Sequence, residues 1–94
     1  MGGRMKIFKY LLEQDPTQLQ LVKMPANATI LHVGEQFGDL YVWALVNPDA
    51  TQVDYKFFVL GTGVDIGHLE MVCNFQNSIQ MSNGLVWHIF WKPA

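Results

Sequence analysis

The sequence contains little cysteine, little charge and no long apolar segment. Its one cysteine, Cys73, excludes an intramolecular disulfide. Charged residues make up 15% of the chain and the formal net charge is −2, which argues against direct binding of nucleic acid over an extended surface. No apolar run approaches the roughly 18 residues of a membrane span, and the first residues lack the apolar stretch of a secretion signal. These absences favour a cytoplasmic protein that does not act at a membrane.

The chain also lacks the residue patterns of common catalytic and metal sites. It has no nucleophile elbow, no Ser-His-Asp arrangement and no carboxylate pair with a defined role. The three histidines, His32, His68 and His88, are dispersed without the spacing of metal ligands. Asp65 and His68 offer an acid and a base within one loop, but such pairs often arise by chance. We therefore expect no enzyme, no metal and no cofactor.

What the sequence does contain is enough apolar surface for one folded domain. Of its 94 residues, 50% are hydrophobic and 13% are aromatic. A chain of this length holds a single hydrophobic core. The charge is unevenly distributed, with a local balance of +2 over residues 1–23 and −4 over the rest. The basic end is therefore the part of the chain that would attract an anion over distance.

The hydrophobic pattern is that of short β-strands. Apolar and polar residues alternate in residues 17–24, and β-branched and aromatic residues fill several other segments. The predicted strands cover residues 5–12, 17–24, 29–37, 40–47, 52–60, 68–76 and 85–91. Turn signals separate them at intervals of about 8–12 residues, which is typical of all-β domains. We predict a small antiparallel sandwich or barrel of about seven short strands, with no helix.

Two local features follow from this pattern. Gly38-Asp39 suits a tight hairpin in which the glycine adopts a positive φ. Cys73 lies in an alternating stretch with Met71 and Phe75, so we expect it to be a small core residue.

Two predicted strands, residues 40–46 and 85–91, are apolar on both faces. An antiparallel sheet with one face in water should alternate apolar with polar residues. A chain this small has little material to cover both faces, so some of this surface is expected to meet another copy. The simpler alternative is that both are central strands between two layers. The candidate interface residues are Tyr41, Trp43, Trp87, Phe90 and Trp91.

A loop with three glycines, residues 61–67, is the strongest candidate for ligand binding. Glycines let backbone N–H groups turn toward an anion, and Thr62 between Gly61 and Gly63 would donate a hydrogen bond. No lysine follows as in a P-loop, so a plain turn between strands remains the alternative. His88 lies in an apolar strand, where it is either a hydrogen-bonded structural residue or a ring that stacks on a base.

Five segments in order resemble a family of small uncharacterised proteins from bacteriophages and prophages. The segments are residues 5–10 (MKIFKY), 24–33 (MPANATILHV), 40–48 (LYVWALVNP), 57–63 (FFVLGTG) and 86–90 (VWHIF). The resemblance implies a phage accessory protein that acts in the host cytoplasm, and such proteins often block host defences. Met5 matches the usual family start, which makes residues 1–4 an N-terminal extension and residues 5–94 a single β domain.

The leading hypothesis is therefore a non-enzymatic counter-defence protein. It would form a homo-oligomer and sequester a small anionic signal of nucleotide type. The ligand would be held by aromatic faces, by His88 and by the loop residues Gly61, Thr62, Gly63 and Asp65. A basic residue would complete the site, with Arg4, Lys6 and Lys9 as the candidates.

Two other hypotheses remain open at this point. The first is a protein-binding inhibitor of a defence effector, such as a CRISPR complex, or of a host enzyme. Its acidic residues Asp49, Asp54 and Asp65 would imitate the charge of nucleic acid. The second is a minor structural component of the virion.

Overall fold

Strands account for most of the protein. The computed structural model describes residues 4–15 and 19–93, and in these ranges it contains seven strands and one short helix. The strands are β1 (Lys6–Leu12), β2 (Gln20–Pro25), β3 (Thr29–Gln36), β4 (Asp39–Val46), β5 (Gln52–Gly61), β6 (Asn74–Gln80) and β7 (Val86–Pro93), and the helix α1 (Leu69–Val72) lies between β5 and β6. The all-β prediction with about seven strands is confirmed.

The described strands form two antiparallel sheets that pack face to face. The three-stranded sheet has the order β1-β4-β3, and the four-stranded sheet has the order β2-β5-β7-β6. All the neighbouring pairs run antiparallel. The architecture is thus sandwich-like, the first of the two arrangements that the strand spacing allows.

The core lies between the sheets and follows from the alternation along each strand. In β4, Leu40, Val42, Ala44 and Val46 are all fully buried, whereas the residues between them are half-buried. The opposite sheet contributes inward side chains from its two central strands, with Phe57 and Ile89 both at 0% exposure. Each large side chain buried in this way stabilises the fold by about 1.5–3 kcal/mol.

Hydrogen bonds join the two sheets at both edges. On one side, Glu35 of β3 accepts bonds from the backbone N–H of Ser82 (2.7 Å) and from its hydroxyl. On the same side, Asn77 Nδ2 donates to the backbone carbonyl of Val33 at 2.9 Å. On the other side, the backbone of Glu13 and the side-chain amide of Gln20 exchange two bonds, which fixes the end of β1 against the start of β2.

The hairpin between β3 and β4 has the positive-φ glycine that the sequence predicts, but its turn lies one residue earlier. Phe37 and Gly38 form the turn, with φ values of 53° and 85°, and Asp39 already belongs to β4. Two consecutive positive φ values define the type I′ turn that matches the twist of a hairpin. Phe37 is 96% exposed at its tip.

The segment after the glycine loop differs from the prediction. Residues 68–76 were expected to form one strand, but Leu69–Val72 form a helical turn and β6 starts at Asn74. Leucine, glutamate and methionine are strong helix formers, and the alternation of apolar residues obscured this local preference. Cys73 follows the helix and is half-buried, so its assignment to the core is corrected.

Candidate functional site

A pocket of about 280 Å³ opens on the outer face of the four-stranded sheet. It lies under the loop that joins β5 to α1. Its lining consists of Leu60, Gly61, Thr62, Gly63, Val64, Ile66, Phe75, His88 and Phe90. Most of these side chains are apolar or aromatic, and a few polar groups converge among them, which is the usual composition of a small-molecule site.

The floor of the pocket is made by neighbouring strands of the sheet. Leu60 of β5 lies opposite His88 of β7, and Phe75 of β6 lies opposite Phe90 of β7. The rings of Phe75 and Phe90 are 5.3 Å apart between centroids and inclined by 60°, a favourable tilted arrangement. Phe75 is 55% exposed, so part of its ring remains open to a ligand.

The loop over the pocket is held by short-range hydrogen bonds. The N–H of Val64 donates to the carbonyl of Gly61 at 3.3 Å, which closes a turn around Gly63 with its φ of 85°. Asp65 Oδ1 accepts a bond from the N–H of Gly67 at 2.9 Å. These two turns fold the loop back over the sheet, so that Val64 and Ile66 form one wall of the pocket.

His88 is fixed by two hydroxyl groups. Its Nε2 lies 2.7 Å from Thr62 Oγ1, and its Nδ1 lies 2.6 Å from Ser78 Oγ. A hydroxyl both donates and accepts, so either neutral tautomer of the imidazole is satisfied, and the protonated ring donates to both oxygens. The ring plane is therefore set by the protein before any ligand arrives.

The structure brings together the central part of the predicted site. Gly61, Thr62, Gly63 and His88 all line the pocket. Asp65 belongs to the same loop, but it stabilises the turn at Gly67 and does not line the pocket.

The basic residues predicted to complete this site are elsewhere in the fold. Lys6 pairs with Val46 in the three-stranded sheet, and Arg4 precedes the same strand. The pocket lies on the outer face of the other sheet, and packed sheets are about 10 Å apart. Within one chain, Arg4 and Lys6 therefore do not complement the loop. Lys9 also lies in β1, where its Nζ donates to Gln36 Oε1 at 2.5 Å.

Comparison with known proteins places the chain in a family. A family model described as "Domain of unknown function (DUF7352)" matches residues 4–94. The chain belongs to this family. No curated protein and no solved structure gives a match. The description states no activity for the family.

The sequence pattern did not identify the apolar residues of the pocket. Phe75 was not singled out, and Phe90 was assigned to a subunit interface. Alternation along β7 places His88 and Phe90 on the same face of the sheet, so the sequence pattern was enough to place Phe90 beside His88 in the pocket. Phe75 reaches the same face through the register of β6, which shifts between Phe75 and Asn77. The sequence pattern alone contains no signal for that shift.

The candidate interface residues separate into two groups. Trp87 is 8% exposed in the core, where its Nε1–H donates to Gln14 Oε1 at 3.2 Å. Trp91 packs on Phe57 with ring centroids 6.5 Å apart. Their own chain provides these contacts because β7 is a central strand of its sheet. Within one chain, Trp87 and Phe90 are each 8% exposed, which leaves little of either ring for contact with another copy, and Trp91 is half-buried at the edge of the core.

Tyr41 and Trp43 form the second group and face outward from the three-stranded sheet. Their rings are 5.9 Å apart, and Lys9 Nζ lies 4.5 Å from the centre of the Tyr41 ring. Ile7 and Leu11 lie beside them on β1 and are 60% and 51% exposed. We call these four apolar residues, Ile7, Leu11, Tyr41 and Trp43, the outer apolar face.

Charged side chains and metal-ligating clusters do not converge on the pocket among the described residues. Among the described residues that line it, none carries a formal charge. Over the described ranges, no three histidine, cysteine, aspartate or glutamate side chains converge as they would around a metal ion. No helix in these ranges is long and apolar enough to cross a membrane.

Proposed function

We propose that this protein is a non-enzymatic binding protein that holds a small ligand of nucleotide type in the pocket. One observation carries the proposal. Two phenylalanine rings, the imidazole of His88 and the hydroxyl of Thr62 converge in a single cavity of about 280 Å³ beneath a glycine-containing loop. Such a site offers a planar ring an aromatic surface together with a few directed hydrogen bonds.

Stacking supplies the main attraction in this proposal. A base on an aromatic side chain gains about 1–3 kcal/mol, and every base has a face that can stack. Phe75 is the exposed ring of the pair and offers that surface, while Phe90 is 8% exposed and packs against Phe75 at an angle of 60°. The Thr62 hydroxyl, which His88 holds in place, keeps a further hydrogen-bonding position for the edge of the base.

The surroundings of His88 favour binding over catalysis. A histidine that activates a hydroxyl nucleophile is usually oriented by a third group, typically a carboxylate, which stabilises the charged ring. Here the second nitrogen meets the neutral hydroxyl of Ser78 at 2.6 Å. The hydroxyl of Ser78 orients the imidazole, but it carries no negative charge that would stabilise a positively charged ring.

The biological setting of the proposal comes from the sequence. The resemblance to small phage proteins supports a counter-defence role in the host cytoplasm, in which the protein sequesters a nucleotide-derived immune signal. The alternative, an inhibitor that imitates nucleic acid, needs clustered acidic residues. Asp49 and Asp65 flank opposite ends of the ten-residue strand β5, and Asp54 forms an ion pair with Lys23 at 3.1 Å. This distribution does not favour the alternative, and no observation favours a virion component.

Self-association is a further part of the proposal. The outer apolar face exposes Ile7 and Leu11 next to the half-buried rings of Tyr41 and Trp43. Lys9 lies among them, opposite Trp43, and the rest of this face is apolar. Exposed apolar surface of this kind usually marks a contact with another molecule. A second copy on this face would give the homo-oligomer that the two-faced apolar strands led us to expect.

Ligand binding to the purified protein tests the proposal. Calorimetry and thermal shift with adenosine, guanosine, their 5′-monophosphates, ADP-ribose and cyclic dinucleotides should reveal at least one ligand that raises the melting temperature. Phe75→Ala should weaken the affinity for that ligand by about five- to 150-fold, because one stacking contact is lost. Phe75 is exposed, so the variant keeps its core.

Phe37→Ala is the matched control. It removes a phenylalanine that is 96% exposed and does not line the pocket, so affinity should stay at the wild-type value. No binding across the whole panel would refute the nucleotide proposal, and so would an equal loss of affinity in both variants.

A further inference from the structure

Two lysines face each other on the same outer surface as the pocket. Lys56 of β5 and Lys92 of β7 are direct cross-strand partners, and both are half-buried. Their side chains point outward because the inward positions on either side of them, Tyr55 and Phe57 in β5, belong to the core. Like charges directly opposite on one sheet face repel each other, so this pair opposes the stability of the sheet.

The described residues do not compensate this repulsion with an ion pair. Asp54 is the acidic residue on the same face of β5, but its Oδ1 is bonded to Lys23 Nζ at 3.1 Å. Within residues 4–15 and 19–93, neither Lys56 nor Lys92 has a carboxylate within salt-bridge distance. The ammonium groups of these two directly paired residues are therefore left to attract an anion from solution.

The lysine pair lies next to the pocket wall. The next cross-strand pair along the same face is Phe58 with Phe90, and Phe90 lines the pocket. Positions two residues apart on one strand are separated by about 7 Å, which is within the reach of a lysine side chain. The pocket lining is uncharged among its described residues, so a charged group on the ligand must find its partner outside it.

We propose that Lys56 and Lys92 form an anion subsite that binds the phosphate of a ligand whose ring occupies the pocket. This inference rests on the proposed function and extends it to the charged part of the ligand, for which the pocket lining offers no partner. Lysine ammonium groups bind phosphate as point charges, and two of them match a phosphate dianion. The site differs from the one that the sequence suggested, which took its cation from the N-terminal strand.

The first experiment compares each nucleoside with its 5′-monophosphate. Wild-type protein should bind the monophosphate about tenfold or more tightly than the nucleoside, because charge-assisted bonds add to stacking. Lys56→Gln/Lys92→Gln should abolish this preference and leave nucleoside affinity unchanged. The control Lys6→Gln/Lys9→Gln removes the same charge from β1 and should keep the preference.

The second experiment separates the subsite from the pocket. Pyrophosphate, added at constant ionic strength, should raise the melting temperature of the wild type and of Phe75→Ala, but not of Lys56→Gln/Lys92→Gln. If no nucleoside or nucleotide binds, the proposed function fails, and the pyrophosphate result alone decides for or against the lysine pair. The inference is overturned if the double variant responds to pyrophosphate as the wild type does, or if bound monophosphates show no advantage over nucleosides.

Discussion

At the scale of single residues, neighbours determine what each polar side chain does. His88 stands in an apolar strand, where a structural and a ligand-binding role were both open from sequence. The hydroxyls of Thr62 and Ser78 take both of its ring nitrogens, and its ring also lines the pocket. The structural and the ligand-binding role are therefore compatible, because the hydrogen bonds that satisfy the two ring nitrogens also hold the ring at the pocket.

Tyr10 gives a prediction at the same scale. It lies on the inner side of β1 opposite Val42, and burial raises the pKa of its hydroxyl above the ordinary value. The unfolded chain therefore loses this proton more readily, so Tyr10 contributes stability that is present below about pH 10 and is lost as pH rises further. Tyr10→Phe should reduce the fall in melting temperature between pH 8 and pH 11.

The two proteins should be compared first at pH 7, where the difference in their melting temperatures gives the baseline. The prediction concerns the change from that baseline. An alkaline loss of the same size in both proteins would contradict it.

At the scale of elements, local chemistry explains both the strands and the exceptions. Alternation along β4 and β7 correctly separates inward from outward side chains, because successive residues of a strand point to opposite faces. The helical turn α1 escaped this reasoning because four residues are too few to show a helical period. The β3–β4 hairpin follows from Gly38, yet it also holds Phe37 in a left-handed conformation that a bulky residue rarely adopts.

The strained position of Phe37 leads to a stability prediction. Phe37→Asn would create the Asn-Gly pair that type I′ turns prefer, and nothing packed is lost because the ring is 96% exposed. The free energy of unfolding should rise by about 1 kcal/mol, measured from denaturant midpoints.

Phe37→Ala separates the turn effect from removal of the ring. Alanine is also disfavoured at positive φ, so this variant should stay within about 0.5 kcal/mol of the wild type. An equal gain in both variants would show that the exposed ring, and not the backbone, is the destabilising feature.

At the scale of the whole molecule, each sheet covers one face of the other. The inner faces form the core, and the outer faces keep two different surfaces: the pocket on the four-stranded sheet and the outer apolar face on the three-stranded one. A single chain therefore hides Trp87 but leaves Tyr41 and Trp43 at the surface. Of the two strands that are apolar on both faces, β4 keeps two large rings half-buried on its outer face, whereas Phe90 of β7 is 8% exposed.

The oligomeric state tests whether a second copy of the chain covers the outer apolar face. Size-exclusion chromatography with light scattering should show a species larger than one chain for the wild type. Ile7→Lys/Leu11→Lys should shift it to the monomer, because two charges in an apolar contact are costly to desolvate.

The matched control is Met71→Lys/Val72→Lys, which makes the same kind of change on α1. These residues are 75% and 61% exposed, so the control should keep the wild-type species. A monomeric wild type, or dissociation of both variants alike, would refute self-association through the outer apolar face.

The candidate site could be predicted in part. The glycine loop and His88 were recognisable because glycine and histidine are distinctive residue types. Phe75 and the opposed lysines were not, because their significance comes from neighbours that are distant in the chain. Lys56 and Lys92 become a pair only when β5 lies beside β7.

The sequence by itself determined most of the strands, the direction in which most side chains point and the positive φ at Gly38. Each of these depends on alternation or on backbone sterics over a few residues. Only the tertiary structure decided that β7 lies between β5 and β6, and that β6 is shifted at Phe75. A period of two residues fixes the face of a strand but not its neighbour, and that choice depends on contacts between segments far apart in the chain.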